Sequence, residues 1–217
     1  MEKLSLQTIC DGILRVRDNA RELLDEAKLL RENNRISRSY TLAYLSCEET
    51  GKLSILLGAA TKTILDITVD WKKTRKRFHS HESKAGQSFG LAKSIPIIFE
   101  AAAAGQRSID LDDILIKAAA GILVGPALFE HRNSSMYCNL TEGAFTSPRE
   151  QINESMADQM IEFASNHVTA ANAILGDSIE ETIDKIRSRT SRDRYEAGMV
   201  RAKEAAEALY SSLRKVE

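Results

Sequence analysis

The chain has 217 residues, of which 43% are hydrophobic, and its 30 basic residues nearly balance its 31 acidic ones, for a net charge of −1. This near neutrality excludes a protein drawn to nucleic acid or anionic lipid by its overall charge. With only three prolines and eleven glycines, and with abundant Ala, Leu, Glu, Lys and Arg, the composition predicts an all-α protein with one substantial core. Three widely spaced cysteines indicate a reducing compartment and exclude a zinc ribbon.

The first predicted helix is capped by Ser5 and runs to about Glu32. Its apolar residues recur three and four positions apart, which is typical of a helix that packs along one side. Asn33 and Asn34 end it, and the connection to the next helix is short. We therefore expect the first two helices to be antiparallel neighbours.

The second predicted helix, which begins at about residue 39 and extends to about residue 67, is apolar on almost all sides and belongs at the centre of a bundle. At about 100° per residue, Glu49 falls within a stripe of leucines, where we expect its side chain to be more than three-quarters buried. Lys52, one turn on, is its expected cation, because a buried unpaired carboxylate is costly. The alternative is an ordinary surface pair between Glu48 and Lys52. On the opposite side, small residues that include Gly51 would let another helix approach closely.

Residues 70–87 form the only strongly basic segment of the chain. Aromatic side chains, among them Trp71 and Phe78, alternate with its cations, and this combination suits phosphate contact together with base stacking. The alternative is a solvated helix face without a binding role. The cations proposed to contact RNA are Lys72, Lys73, Arg75, Lys76 and Arg77.

The remaining segments also read as helices. Two are predicted over 83–104 and from Asp110 to Asn133, followed by an ordered loop over 133–147. Ser147, with proline next and Glu150 three residues on, starts a helix that runs to about residue 174 and carries His167 on its core side. Further helices follow from Ser178 and from about residue 191. The longest apolar run, 114–129, is short for a membrane span, and no signal segment precedes it, so we expect a soluble cytoplasmic protein.

Three motifs in this order resemble those of the AbiV family of bacterial abortive-infection proteins, which are related to HEPN domains. They are EETGK at 48–52, HESK at 81–84 and RNSSMYCNLTEGAFTSPRE at 132–150. The resemblance covers about residues 39–174. It implies an all-α, HEPN-like antiparallel helical bundle, with a single domain over 1–217, a core over about 5–175 and a C-terminal helical extension over about 177–217.

The resemblance also implies a function in phage defence. It predicts a toxin-like protein that arrests host translation, acts as a homodimer, responds to a phage-encoded activator protein and targets RNA or the translation machinery. HEPN ribonucleases carry R-x(4–6)-H and use no metal, so neither a metal nor a cofactor is expected. Here Arg132 and Asn133 match the beginning of that motif, but Tyr137 stands where the histidine is expected. Tyrosine, with a pKa near 10, is a poor general base at neutral pH.

His81 is the better candidate base, since His131 points about 100° away from Arg132 on a helix. Two function classes stay open at this point: a metal-independent endoribonuclease, and a non-catalytic RNA- or ribosome-binding inhibitor whose polar cluster is structural. The candidate catalytic residues are Glu49, Lys52, His81, Lys84, Arg132, Asn133 and Tyr137.

Overall fold

The protein is described here from a computed structural model, which describes residues 3–81, 84, 86–88, 131–141, 143–200 and 204. Within these ranges the fold is all-α apart from one short hairpin, which confirms the predicted fold class. The helices are α1 (Leu6–Glu32), α2 (Ile36–Ile64), α3 (Trp71–His79), α4 (Pro148–Gln151), α5 (Glu154–Ile174) and α6 (Ile179–Arg189). Residues 81, 84, 86–88, 131–136 and 192–200 are also helical. The helices predicted over 83–104 and 110–133 lie mostly outside the described residues.

Helices α1 and α2 form an antiparallel pair, as predicted. The Ser5 hydroxyl caps α1 by accepting from the Thr8 backbone N–H at 3.1 Å. Asn34, with a φ of 56°, supports the tight connection to α2, since asparagine tolerates this left-handed conformation. Farther along, the Ser46 hydroxyl donates to the Ala20 carbonyl at 2.6 Å. This bond joins the two helices through a buried polar contact.

Helix α2 is the central element, because it contacts α1, α3, α4, α5 and α6. The predicted central position of this segment is therefore confirmed. Near the N-terminus of α2 the core includes Leu24, Tyr44 and Met160, and near its C-terminus it includes Ile13 and Leu53. Burial of these large apolar side chains is the main force that holds the described helices together.

The segment expected to be an ordered loop, 133–147, contains more regular structure than predicted. It continues as helix to residue 136 and then forms an antiparallel hairpin of β1 (Asn139–Thr141) and β2 (Ala144–Thr146). Asn139 faces Thr146 across the hairpin, and both side chains bond to Gln151. The next pair, Leu140 and Phe145, is largely exposed. The sequence prediction missed the hairpin because its strands are only three residues long.

The predicted helix from residue 148 to 174 is interrupted, which corrects the sequence prediction. The capping box of Ser147 and Glu150 is present as expected and starts α4. Ile152, however, is extended and only 2% exposed, and Asn153 caps α5 by accepting from the Met156 N–H at 3.0 Å. Burial of Ile152 together with this second cap accounts for the break.

The C-terminal part packs back onto the bundle. Ser178 caps α6 as predicted, accepting from the Glu181 N–H at 3.1 Å. The buried guanidinium of Arg17 donates to the Gly176 carbonyl at 2.7 Å and so joins α1 to the turn before α6. Across the described ranges, no helix is long and apolar enough to cross a lipid bilayer.

Candidate functional site

The most buried face of α2 is offset from the leucine stripe predicted to be its packing surface. Leu42, Leu45 and Leu56 are only half-buried. One residue around the helix, or about 100°, lies a buried stripe of polar, small and apolar residues. Its members are Thr41, Tyr44, Glu48, Gly51 and Ile55. The carboxylate at the centre of the packing is therefore that of Glu48, which the sequence analysis did not select as a site residue.

Glu48 is 2% exposed and has two cationic or ionisable partners. The Nδ1 atom of His81 lies 2.9 Å from one carboxylate oxygen and 3.2 Å from the other. The ammonium of Lys84 lies 3.4 Å from the nearer of these oxygens. The His81 side chain is 46% exposed, whereas that of Lys84 is 9% exposed. The cluster thus combines a buried ion pair with an imidazole that reaches the surface.

Glu49 and Lys52 form a separate pair on the adjacent side of α2. Glu49 is 14% exposed, which confirms that it is more than three-quarters buried, and its carboxylate accepts from the Lys52 ammonium as expected. This ammonium also lies 5.0 Å from the ring centroid of Phe78 on α3. The alternative pairing of Glu48 with Lys52 is wrong, because Glu48 pairs with His81 and Lys84 instead.

Lys84 reaches Glu48 because the backbone around it lies unusually close to α2. A Cβ atom built on Gly51 would lie 2.9 Å from the carbonyl carbon of Lys84 and 3.2 Å from the backbone nitrogen of Ser88. Only glycine permits this approach without displacement of one helix. The prediction that the small side of α2 admits a close neighbour is confirmed at Gly51.

Arg132 belongs to the same polar region through Tyr44. Burial raises the pKa of the Tyr44 hydroxyl, the Glu48 carboxylate raises it further, and the Arg132 guanidinium acts in the opposite direction. The Arg132 side chain is half-buried and donates to the Asn133 side-chain oxygen at 3.2 Å. A buried bond of 2.7 Å between the hydroxyls of Thr41 and Ser135 holds this helical stretch against α2. The structure therefore brings Arg132 and Asn133 toward the Glu48 cluster.

Tyr137 lies outside the buried cluster. It follows the helical stretch 131–136 and its side chain is 60% exposed. The chain turns into the hairpin immediately after it, next to the exposed Leu140 and Phe145. The residue that replaces the expected histidine is therefore a surface tyrosine at the base of the hairpin.

The basic segment folds into α3 as an amphipathic helix. Its side chains at Lys72, Lys73, Arg75 and Lys76 are exposed, and that of Arg77 is half-buried. Trp71 is only 9% exposed and Phe78 packs against the core. The cations thus remain available for phosphate, whereas the expectation that Trp71 stacks on a base is wrong because its ring is in the core.

His81 follows this basic helix directly. The backbone bends at Ser80, which has a ψ of 120°, and helix resumes at His81. The Lys84 N–H donates to the Ser80 carbonyl at 3.1 Å, which places both site residues in the first turn of the new helix. The bend therefore brings the exposed cations of α3 next to the half-exposed imidazole.

Residues near Ser88 attach this segment to α5 as well as to α2. The two ring nitrogens of His167 each lie 2.7 Å from a backbone oxygen, one of Phe163 and one of Ser88. His167 is fully buried, as predicted for a core histidine with satisfied hydrogen bonds. Burial also raises the pKa of the Cys47 thiol, although the nearby Ser88 hydroxyl acts in the opposite direction. A buried thiol of this kind is a poor nucleophile.

We expect the stability of the protein to fall when the pH drops below the ordinary histidine value of 6.5, because burial lowers the pKa of His167. The two carbonyl contacts partly oppose this shift. The unfolded chain then binds more protons than the folded one, so protonation favours unfolding. Urea denaturation at about pH 7.5 and about pH 5.5, on either side of the reference pKa, measures the change. His167→Gln should show a smaller difference, and an equal difference in both proteins would contradict this assignment.

The sequence contained one signal for the missed residue. In EETGK both glutamates are adjacent, so a helix apolar on most sides offers two registers that differ by one residue. The tyrosine and threonine of the observed stripe are the kind of residues that line a polar buried site, and they align with Glu48 and not with Glu49. No group of three or more histidine, cysteine or acidic side chains that could hold a metal ion occurs within the described part of the chain.

Comparison with known proteins identifies one family. The model of the HEPN_AbiV family, described as AbiV, matches residues 8–169 of the chain. No curated protein and no solved structure matches it. The family match includes Glu48, His81, Lys84 and Arg132, and it ends before α6.

Proposed function

This chain belongs to the HEPN_AbiV family of abortive-infection proteins, and we propose that it arrests host translation during phage infection by acting on RNA. The observation that supports this proposal is the half-exposed imidazole of His81, which is held by the buried Glu48 next to a helix of exposed cations. An imidazole suits proton transfer near neutral pH. The neighbouring cations suit the phosphate backbone of RNA.

The proposed chemistry is metal-independent cleavage through the RNA 2′-hydroxyl. His81 accepts the proton of this hydroxyl, and its oxygen forms a bond to the adjacent phosphorus atom. The bond between phosphorus and the 5′-oxygen breaks, and the leaving oxygen takes a proton, which yields a 2′,3′-cyclic phosphate and a 5′-hydroxyl end. Arg132, with Asn133 beside it, is the candidate to stabilise negative charge on the phosphate.

Helix α3 supplies the proposed contact surface for RNA. Four of its cations are exposed, and they precede His81 in the chain by fewer than ten residues. Electrostatic attraction to phosphates does not depend on base sequence, and it weakens as salt concentration rises. The proposed role of α3 is therefore to hold the RNA backbone, while His81 acts on a ribose close to it.

The alternative function is non-catalytic inhibition, in which the protein occupies RNA or a ribosome-associated partner. The observation that favours it is Tyr137, which replaces the expected histidine and whose side chain is 60% exposed. In this case the contacts of Glu48 fix the packing of the helices and do not serve catalysis. The basic surface of α3 serves both functions.

The proposal also includes partners and location. We propose that the protein is cytoplasmic, that a phage-encoded protein activates it, and that it forms a homodimer. The exposed pair Leu140 and Phe145 on the hairpin supports an interaction surface close to Arg132. An apolar pair of this kind is more often found at an interface than on an isolated surface.

The experiment that separates the two functions compares three variants for growth arrest in cells and for RNA cleavage by purified protein. If the protein is a ribonuclease, His81→Ala should abolish both activities, because the proposed base is removed. His79→Ala is the matched control, since His79 is an exposed histidine two residues earlier. It should retain both activities.

The third variant neutralises all five cations of α3 with glutamine. Under the non-catalytic alternative it should remove growth arrest, while His81→Ala retains it. The salt dependence of RNA binding should also flatten, by about 0.7 logarithmic units per lost phosphate contact on single-stranded RNA. If all variants fold and none changes toxicity, both functions are contradicted. The neutralised residues are Lys72, Lys73, Arg75, Lys76 and Arg77.

A further inference from the structure

We propose that Glu48 is a positioning residue that selects which nitrogen of His81 accepts a proton. Both oxygens of its carboxylate face Nδ1, at 2.9 and 3.2 Å. A carboxylate only accepts hydrogen bonds, so Nδ1 must carry the hydrogen in this contact. The neutral imidazole then has its lone pair on Nε2.

Lys84 supports the ionised form of Glu48 that this argument requires. Its ammonium lies 3.4 Å from the same oxygen that is nearest to Nδ1, and both side chains of the ion pair are less than 10% exposed. A buried carboxylate needs such a cation to remain charged. One buried charge on α2 is thus balanced by Lys84 and is also directed at His81.

The backbone contact at Gly51 holds this arrangement in place. It brings the first turn of the helix after α3 against α2, and that turn carries both His81 and Lys84. The imidazole is therefore oriented by a rigid buried group, while its side chain remains 46% exposed. The inference rests on the proposed role of His81 and assigns Nε2 as the atom that receives the ribose proton.

The test uses long-range proton–nitrogen NMR correlations of His81 in the full-length protein, at a pH where the imidazole is neutral. In the wild type, Nδ1 should resonate as a protonated, pyrrole-type nitrogen and Nε2 as a pyridine-type nitrogen. The double variant Glu48→Leu/Lys84→Met removes the acceptor and replaces the buried ion pair with apolar groups of similar size, a change that proteins often tolerate. In it, the two nitrogens should exchange roles.

The matched control is Glu49→Leu/Lys52→Met, which removes the neighbouring pair on α2. It should leave the tautomer of His81 unchanged, because Glu49 is paired with Lys52. A pyridine-type Nδ1 in the wild type, or an unchanged tautomer in the Glu48→Leu/Lys84→Met variant, would overturn the proposal.

RNA cleavage measured on the same samples separates this inference from the proposed function. If Nδ1 is protonated and depends on Glu48 while the wild type cleaves no RNA, the positioning role stands and the ribonuclease proposal fails. If the wild type cleaves RNA and its cleavage survives loss of the Nδ1-protonated tautomer, the positioning role fails and the ribonuclease proposal stands.

Discussion

Replacement of Lys84 with alanine is expected to lower the free energy of unfolding by about 3–5 kcal/mol, the usual cost of removing one partner of a buried ion pair. Glu48, which is 2% exposed, would lose its only ammonium partner among the described residues. His81 would remain beside the carboxylate, but its side chain is 46% exposed and its charge depends on protonation. Urea denaturation of the wild type and the variant at neutral pH measures the difference.

Lys52→Ala is the matched control for this measurement. Lys52 also pairs with a glutamate of α2, but both side chains of that pair are more exposed than those of Glu48 and Lys84. Its loss should cost about 1–2 kcal/mol, from a partly solvated ion pair and the contact with Phe78. The sequence analysis placed the buried carboxylate at Glu49, which would have made Lys52 the costlier loss. Equal losses in the two variants would contradict the assignment to Lys84.

Gly51→Ala is expected to destabilise the protein by about 1–3 kcal/mol, the usual cost of inserting a methyl group into a closely packed interface. The added carbon would lie 2.9 Å from the carbonyl carbon of Lys84, so the two helices would have to separate. This separation would also lengthen the contact between Glu48 and His81. The variant should therefore lose stability and, if the protein is a ribonuclease, RNA cleavage as well.

Gly58→Ala is the control for helix propensity. A Cβ on Gly58 meets no atom within 4 Å, and the residue is exposed on the same helix. Alanine there should stabilise the protein by about 0.5–1 kcal/mol, because glycine is unfavourable inside a helix. Thermal unfolding of both variants measures the contrast. A stabilising effect of Gly51→Ala similar to that of Gly58→Ala would contradict the close approach.

Local interactions explain which features were accessible from the sequence. Ser5, Ser147 and Ser178 are helix caps in the structure as predicted, because a cap is formed by residues within a few positions of one another. The all-α class and the central position of α2 follow from composition and from the length of its apolar pattern. The break at Ile152 was missed, since it results from burial of that side chain against distant residues.

The site was only partly accessible for the same reason. The motifs at 48–52, 81–84 and 132–150 correctly indicated the family, and Arg132 and His81 lie in one polar region as their selection implied. Which glutamate lies in that region was decided by tertiary structure. A helix that is apolar on nearly every side can rotate by one residue without a change in its hydrophobic pattern.

The sequence by itself determined the helical class, the helix starts and the membership in an abortive-infection family, because these depend on local patterns and short motifs. Tertiary structure alone decided that Glu48 and not Glu49 meets His81 and Lys84, and that Trp71 lies in the core. The physical reason is the close approach at Gly51, which sets the rotation of α2 relative to the helix after α3. That rotation brings together residues more than thirty positions apart and makes them a site.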